Sequence, residues 1–165
     1  MAFNGVLLWL HVFSGASWFG AVMLFALVVG PTMGDFTPAT SGEVVVKMLP
    51  KYLRFLAILT LLTPILGLVT LLASSNGDFS VFAPSTSFGA YMSAGAILSL
   101  ISWVVVFAVV YPTGRKIVRL TAEFVKNQAP QPPGLPRLAM RLKISSGVGL
   151  ALLIAILICM VAAAS

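Results

Sequence analysis

Residues 6–30, VLLWLHVFSGASWFGAVMLFALVVG, decide the fold of this chain. The run contains no lysine, arginine, aspartate or glutamate, and Pro31 closes it. A hydrocarbon core of ~30 Å takes about 20 helical residues to cross, so the run is long enough to span a bilayer. It is also longer than the apolar region of a signal peptide, and no basic segment precedes it; we read it as a retained span.

Three further runs of this kind follow, at about 52–73, 88–111 and 145–164, the third closed by Pro112. None carries a charge in its middle, and Arg54, in the first turn of the second run, can snorkel outward. The chain of 165 residues is 59% hydrophobic and 8% charged, against about 25% charged in a soluble domain, so lipid is the solvent for most of it. The expected fold is an all-α integral membrane protein: one domain, residues 1–165, forming an up-down bundle of four transmembrane helices.

The basic residues set the orientation. Lys47, Lys51 and Arg54 flank the first connection, and Arg115, Lys116, Arg119, Lys126, Arg137, Arg141 and Lys143 belong to the third. The middle connection, SSNGDFSVFAPSTS, has none. The positive-inside rule then places connections one and three in the cytoplasm and both termini outside, as expected of a multi-pass protein of the cell membrane. The net charge of +6 is directed at anionic lipid headgroups rather than nucleic acid.

The third connection and its flanks, residues 113–144, read as a helical extension and a proline-rich elbow. TGRKIVRLTAEFVKN sets Ile117, Leu120 and Phe124 at helical spacing and continues the third helix, its apolar side against lipid or protein. PQPPGLP breaks the helix, and RLAMRLK restarts it. For packing, small residues allow close backbone approach in lipid. Span four offers Gly147, Ala151, Ala155, Cys159 and Ala163 at four-residue spacing; span one offers Ala16 and Gly20. Pro64 is expected to kink the second span, with Thr60 bonding a carbonyl that the kink frees. Spans one and three also share an ending, Val28-Val29-Gly30-Pro31-Thr32 and Val109-Val110-Tyr111-Pro112-Thr113, which suggests two related helical hairpins.

One ionisable side chain lies well inside a span: His11, some eight residues from the outer end and so ~12 Å deep. An ionisable residue at that depth raises a functional hypothesis. Gly15 and Trp18 lie on its face, leaving space for a flat group beside the imidazole at Gly15. Met92 from span three, Cys159 and Met160 from span four, Tyr91, Thr63 and Thr70 share its depth. Imidazole, thioether and thiolate are ligands that haem iron or copper accepts, so His11 with Met92 is a candidate cofactor pair and His11, Met92 and Cys159 a candidate metal set. The plain alternatives are a histidine satisfied by a neighbouring hydroxyl, and methionine and cysteine as packing. With a single cysteine there is no internal disulfide or CxxC pair. No intramembrane Asp, Glu, Lys or Arg forms a proton or ion path, and no phosphate loop, HExxH or Ser/His/Asp set is present, which disfavours a self-contained transporter or hydrolase.

At His11 the chain resembles the CopD/HemJ-like superfamily of small polytopic membrane proteins. The likeness rests on His11-Val12, Ser17-Trp18, Gly20 and Pro31 in span one. The third span, SAGAILSLISWVVVFAVVYPTGRKIV, looks like the corresponding helix of the membrane domain fused to some bacterial urate oxidases. The resemblance implies haem b at the first-helix histidine. In HemJ-type proteins a third-helix lysine is implicated as well; here no basic residue precedes Arg115 in span three. A second ligand must then differ, with Met92 the best-placed candidate, or the iron is five-coordinate. The expected function is a small, non-catalytic subunit or accessory protein of a membrane redox or metalloenzyme complex, working beside other membrane subunits and holding haem b or copper at His11. The alternatives are a stand-alone haem-dependent oxidoreductase of HemJ-like type and a copper-handling membrane protein.

Overall fold

A computed structural model describes residues 2–127 and 132–165. Four helices dominate it: α1 (Asn4–Thr32), α2 (Pro38–Ser74), α3 (Ser87–Asn127) and α4 (Leu135–Ala164). Each is long and apolar enough to cross a membrane, and inside lipid a helix is the form that satisfies every backbone polar group within its own segment. The protein is thus a multi-pass, all-helical membrane protein. Part of the proline-rich elbow, residues 128–131, lies outside the described residues; beyond it α4 restarts at Leu135 with Pro136 in its first turn, where the missing N–H costs nothing.

Local chemistry fixes the helix ends. Thr37 caps α2, its hydroxyl accepting from the Thr40 N–H at 3.3 Å, with Pro38 opening the helix. At the far end of α2 the chain turns through Asn76 (φ 54°) and Gly77 (φ 81°), and the Gly77 N–H donates to Leu72 O at 2.8 Å. Asp78 then starts a short 3₁₀ turn, Phe79–Phe82, accepting from the Ser80 N–H and hydroxyl at 2.8 and 2.7 Å. Those two bonds hold the Asp78 carboxyl below the usual carboxylate range. Thr86 caps α3, accepting from the Gly89 N–H at 3.0 Å.

The bundle is a ring in which α1 packs on α2 and α4, and α3 on α4 and α2. Neighbours run antiparallel: His11 and Phe25 of α1 meet Thr63 and Tyr52 of α2, while Gly95 of α3 meets Cys159 of α4. The apolar core gathers toward the end that carries the basic residues, around Trp18, Val22, Leu53, Leu56, Val106 and Val110. There α2 and α3 outrun a bilayer's thickness and pack on each other, with Gly42 against Val125 and Gly114 against Leu53. The apolar side of the α3 extension therefore faces protein: Ile117 is buried, and Leu120 and Phe124 are half-buried.

The shared ending of spans one and three has a physical cause. In both, the helix widens into a π turn immediately before the proline, at Phe25–Val29 and Val106–Val110. The Gly30 N–H reaches back five residues to Phe25 O, and the Tyr111 N–H to Val106 O. A proline within a helix clashes with the carbonyl four residues earlier, and an extra residue in the turn moves that carbonyl away. π turns make up well under ~1% of residues, so the same device at both sites strengthens the relation between the two spans.

Two packing expectations are corrected, the small-residue stripes and the partner of the Thr60 hydroxyl. The four-residue stripe of α4 does not face the bundle throughout: Gly147 and Ala151 are exposed, whereas Ala155, Cys159 and Ala163 are half-buried. Each four-residue step advances about 40° past a full turn, so one end of such a stripe must rotate out; at the basic end Leu142, Ser145, Ser146 and Leu153 take the buried face. On α1, Ala16 and Gly20 also point outward, and Ser14, Trp18 and Val22 are the buried residues. In α2 the helix runs unbroken through Pro50 and Pro64. Thr60 donates to Leu56 O at 2.7 Å, not to the Thr60 carbonyl that Pro64 leaves without its partner.

A Cβ at Gly114 would lie 2.7 Å from Leu53 Cδ1, whereas one at Gly147 would meet nothing within 4 Å. Alanine at either site gains similar helix propensity, so their difference isolates the contact. We expect Gly114→Ala to be less stable than Gly147→Ala by about 1–3 kcal/mol, read from thermal melting in detergent micelles.

Candidate functional site around His11

His11 sits on the seam between α1 and α2. Its Nδ1 lies 3.0 Å from the Thr63 carbonyl oxygen. A carbonyl only accepts, so Nδ1 is the donor, and in the neutral imidazole Nε2 then carries the lone pair. Metal-bound histidines are oriented in this way, one ring nitrogen donating to a carbonyl or carboxylate while the other faces the ion. The His11 carbonyl in turn accepts from the buried Ser14 hydroxyl at 2.9 Å.

Gly67 makes room for the ring. A Cβ there would be 2.7 Å from His11 Cε1 and 3.1 Å from Nδ1, so any larger residue would push the imidazole from the Thr63 carbonyl. Thr63 and Gly67 are four residues apart and share one face of α2. That spacing was the available signal, but which helix faced His11 was not readable from it. Gly15 has a different role from the one expected: the methyl of Thr63 lies 3.5 Å from where its Cβ would be. The space beside Gly15 is taken by helix packing, not held open for a flat group.

The other candidates are distributed around the bundle. Met92 is half-buried on α3, diagonal to α1 across the ring. His11 and Met92 each lie twenty residues before the proline of their span, so the related spans hold them at matching depth. Cys159, a free cysteine, backs onto Gly95, where a Cβ would be 3.6 Å from its own; packing accounts for it. Thr70 bonds Leu66 O within its own helix at 2.7 Å, and Tyr91 is exposed. Among the described residues no group of three His, Cys, Asp or Glu could hold a metal ion. Within the spans, Trp18 Nε1, Thr63 Oγ1 and Ser102 Oγ are buried without a hydrogen-bond partner; the sequence places Trp18 on the face of His11 and Thr63 at its depth.

Tested against the implied cofactors, the site fits one part of each. A single oriented imidazole with a free lone pair suits the proximal position of a haem iron. Copper sites take two or more soft ligands, and the contacts that hold His11 come from a glycine and a backbone carbonyl. Two clefts, of about 420 and 840 Å³, lie at the basic end, and His11 lines neither. No family model, curated protein or solved structure matches the chain.

Two measurements check this geometry. With ¹⁵N-histidine, the spectrum of the protein should show a protonated Nδ1 and an unprotonated Nε2 at neutral pH. Gly67→Ala should break the Nδ1 bond and cost about 1–3 kcal/mol of stability; an unchanged tautomer and melting temperature would remove Thr63 as the orienting group.

Proposed function

We propose that this chain is a small integral-membrane subunit or accessory protein of a membrane redox or metalloenzyme complex, in which His11 Nε2 would hold haem b. The observation that carries the reading is the Nδ1–H bond to the Thr63 carbonyl, which fixes the ring and its tautomer and leaves a lone pair for a metal. Bound haem would supply one-electron chemistry; the chain supplies orientation of the ligand through Thr63 and Gly67. Met92, at the matching depth in α3, is the candidate second ligand.

A subunit role is favoured by the outward face of α1. Gly20 has nothing within 4 Å of where a Cβ would be, and Ala16 beside it is exposed; two such residues let a helix of another subunit approach closely. The grouping of all ten basic residues at one end of the bundle favours a cytoplasmic location for that end, which leaves both termini outside. The resemblance to the CopD/HemJ-like superfamily points to the same histidine.

The test is a UV-visible spectrum of the detergent-extracted protein, produced with ample haem, oxidised and then reduced with dithionite. We expect a Soret band and sharp reduced α and β bands, lost in His11→Ala. A spectrum without them would overturn haem ligation. Copper retained at unit stoichiometry and lost in His11→Ala would replace it with the copper reading. Normal assembly and activity of every membrane redox complex after deletion of the chain would overturn the subunit role.

A further inference from the structure

The attraction expected between basic loops and anionic lipid is diffuse, but the fold collects four of the ten cations into one place. A cleft of about 840 Å³ opens between α2 and α3 at the basic end, and Arg54, Arg115, Lys116 and Arg119 line it with Tyr111. Pro50 and Pro112 form part of its walls, and no acidic residue is among the lining residues. The one ion pair among the described residues, Lys47–Glu43 at 3.2 Å, lies elsewhere. Four like charges facing one cleft repel one another, and an anion between them relieves that repulsion.

The depth of the cleft and its surroundings identify the anion. Arg54 enters α2 where its apolar run begins, and Tyr111 ends that of α3, so the cleft lies at the level of lipid headgroups. From it a strip of side chains at four-residue spacing climbs α3 into the apolar region. Arg115 sits over the Tyr111 ring, 6.0 Å from its centroid; Tyr111 neighbours Phe107 at 6.4 Å, and Phe107 neighbours Trp103 at 5.1 Å. Trp103 is 41% exposed. A cationic cradle joined to an aromatic strip suits an amphiphile whose charge and tail must be held together. We propose that this cleft binds one anionic phospholipid, its phosphate among Arg54, Arg115, Lys116 and Arg119 and an acyl chain along Phe107 and Trp103.

The proposal is independent of any cofactor at His11. It is tested by native mass spectrometry of the full chain in detergent micelles with phosphatidylglycerol, phosphatidylcholine or inorganic phosphate. We expect one phosphatidylglycerol to bind saturably, phosphatidylcholine to bind at least about tenfold more weakly, and inorganic phosphate at equal concentration not to displace the lipid. The double variant Arg115→Gln/Arg119→Gln should weaken binding about tenfold or more, whereas Arg137→Gln/Arg141→Gln, the same charge change outside the cleft, should change it less than about twofold. Equal losses in the two variants would show diffuse attraction only, and displacement by phosphate would show a site for the free anion; either overturns the proposal. On the unaltered cleft, phosphatidylglycerol with brominated chains should quench emission that Trp103→Phe removes. Quenching equal to that by brominated phosphatidylcholine would also overturn it.

Discussion

Every long segment of this protein answers to one constraint: in hydrocarbon a backbone N–H or C=O without a partner costs several kcal/mol. Prolines are where that constraint bites, because each removes a donor and displaces a carbonyl. The chain resolves them in two ways. Pro31, near the end of α1, and Pro112, within α3, are preceded by π turns whose five-residue bonds carry the backbone past the ring. Pro50 and Pro64 lie within a continuous α2. One residue before Pro64, the carbonyl of Thr63 takes a side-chain donor from another helix, so the proline-bearing stretch of α2 is also the stretch that meets His11.

That contact explains why a histidine is tolerated in the membrane half of the bundle farthest from the basic residues. A neutral imidazole can keep its Nδ1–H on the Thr63 carbonyl while lying against the bare backbone of Gly67, and the Ser14 hydroxyl donates to the His11 carbonyl. Neutrality avoids the large cost of an intramembrane charge. It is also the state in which an imidazole binds a metal. A structural satisfaction of His11 and a ligand role for it are therefore the same geometry seen from the two ring nitrogens, and neither makes the other redundant.

The two ends of the bundle differ in what holds them. At the end remote from the basic residues, pairs of helices meet through small residues, as at Gly95 with Cys159 and Gly67 with His11. At the basic end the long overhangs of α2 and α3 bring large apolar side chains together around Leu53 and Ile117, and their outer surface becomes a cationic cleft. Charges scattered over two connections in sequence thus converge in space. The small outward-facing residues of α1, Ala16 and Gly20, remain available to a neighbouring helix.

Hydropathy alone determined that four helices cross a membrane, because the cost of burying polar backbone and charge is local and every residue of a span pays it. The continuation of α3 past Pro112 was legible too, since amphipathic spacing at Ile117, Leu120 and Phe124 is a property of one helix. His11 stood out by its depth. Thr63 was legible at the same depth but not as its partner, and Gly67 not at all, because the two act through a carbonyl oxygen and a missing Cβ, and neither role shows until the rotation of α2 about its axis is known. The four-residue stripe of α4 misled for a related reason: periodicity states which residues share a face, but its drift around the helix lets only part of that face meet a neighbour. Rotation, register and the diagonal placing of α1 and α3 are decided by how four helices fit together, and on those depend the seat of His11 and the gathering of Arg54 with Arg115, Lys116 and Arg119.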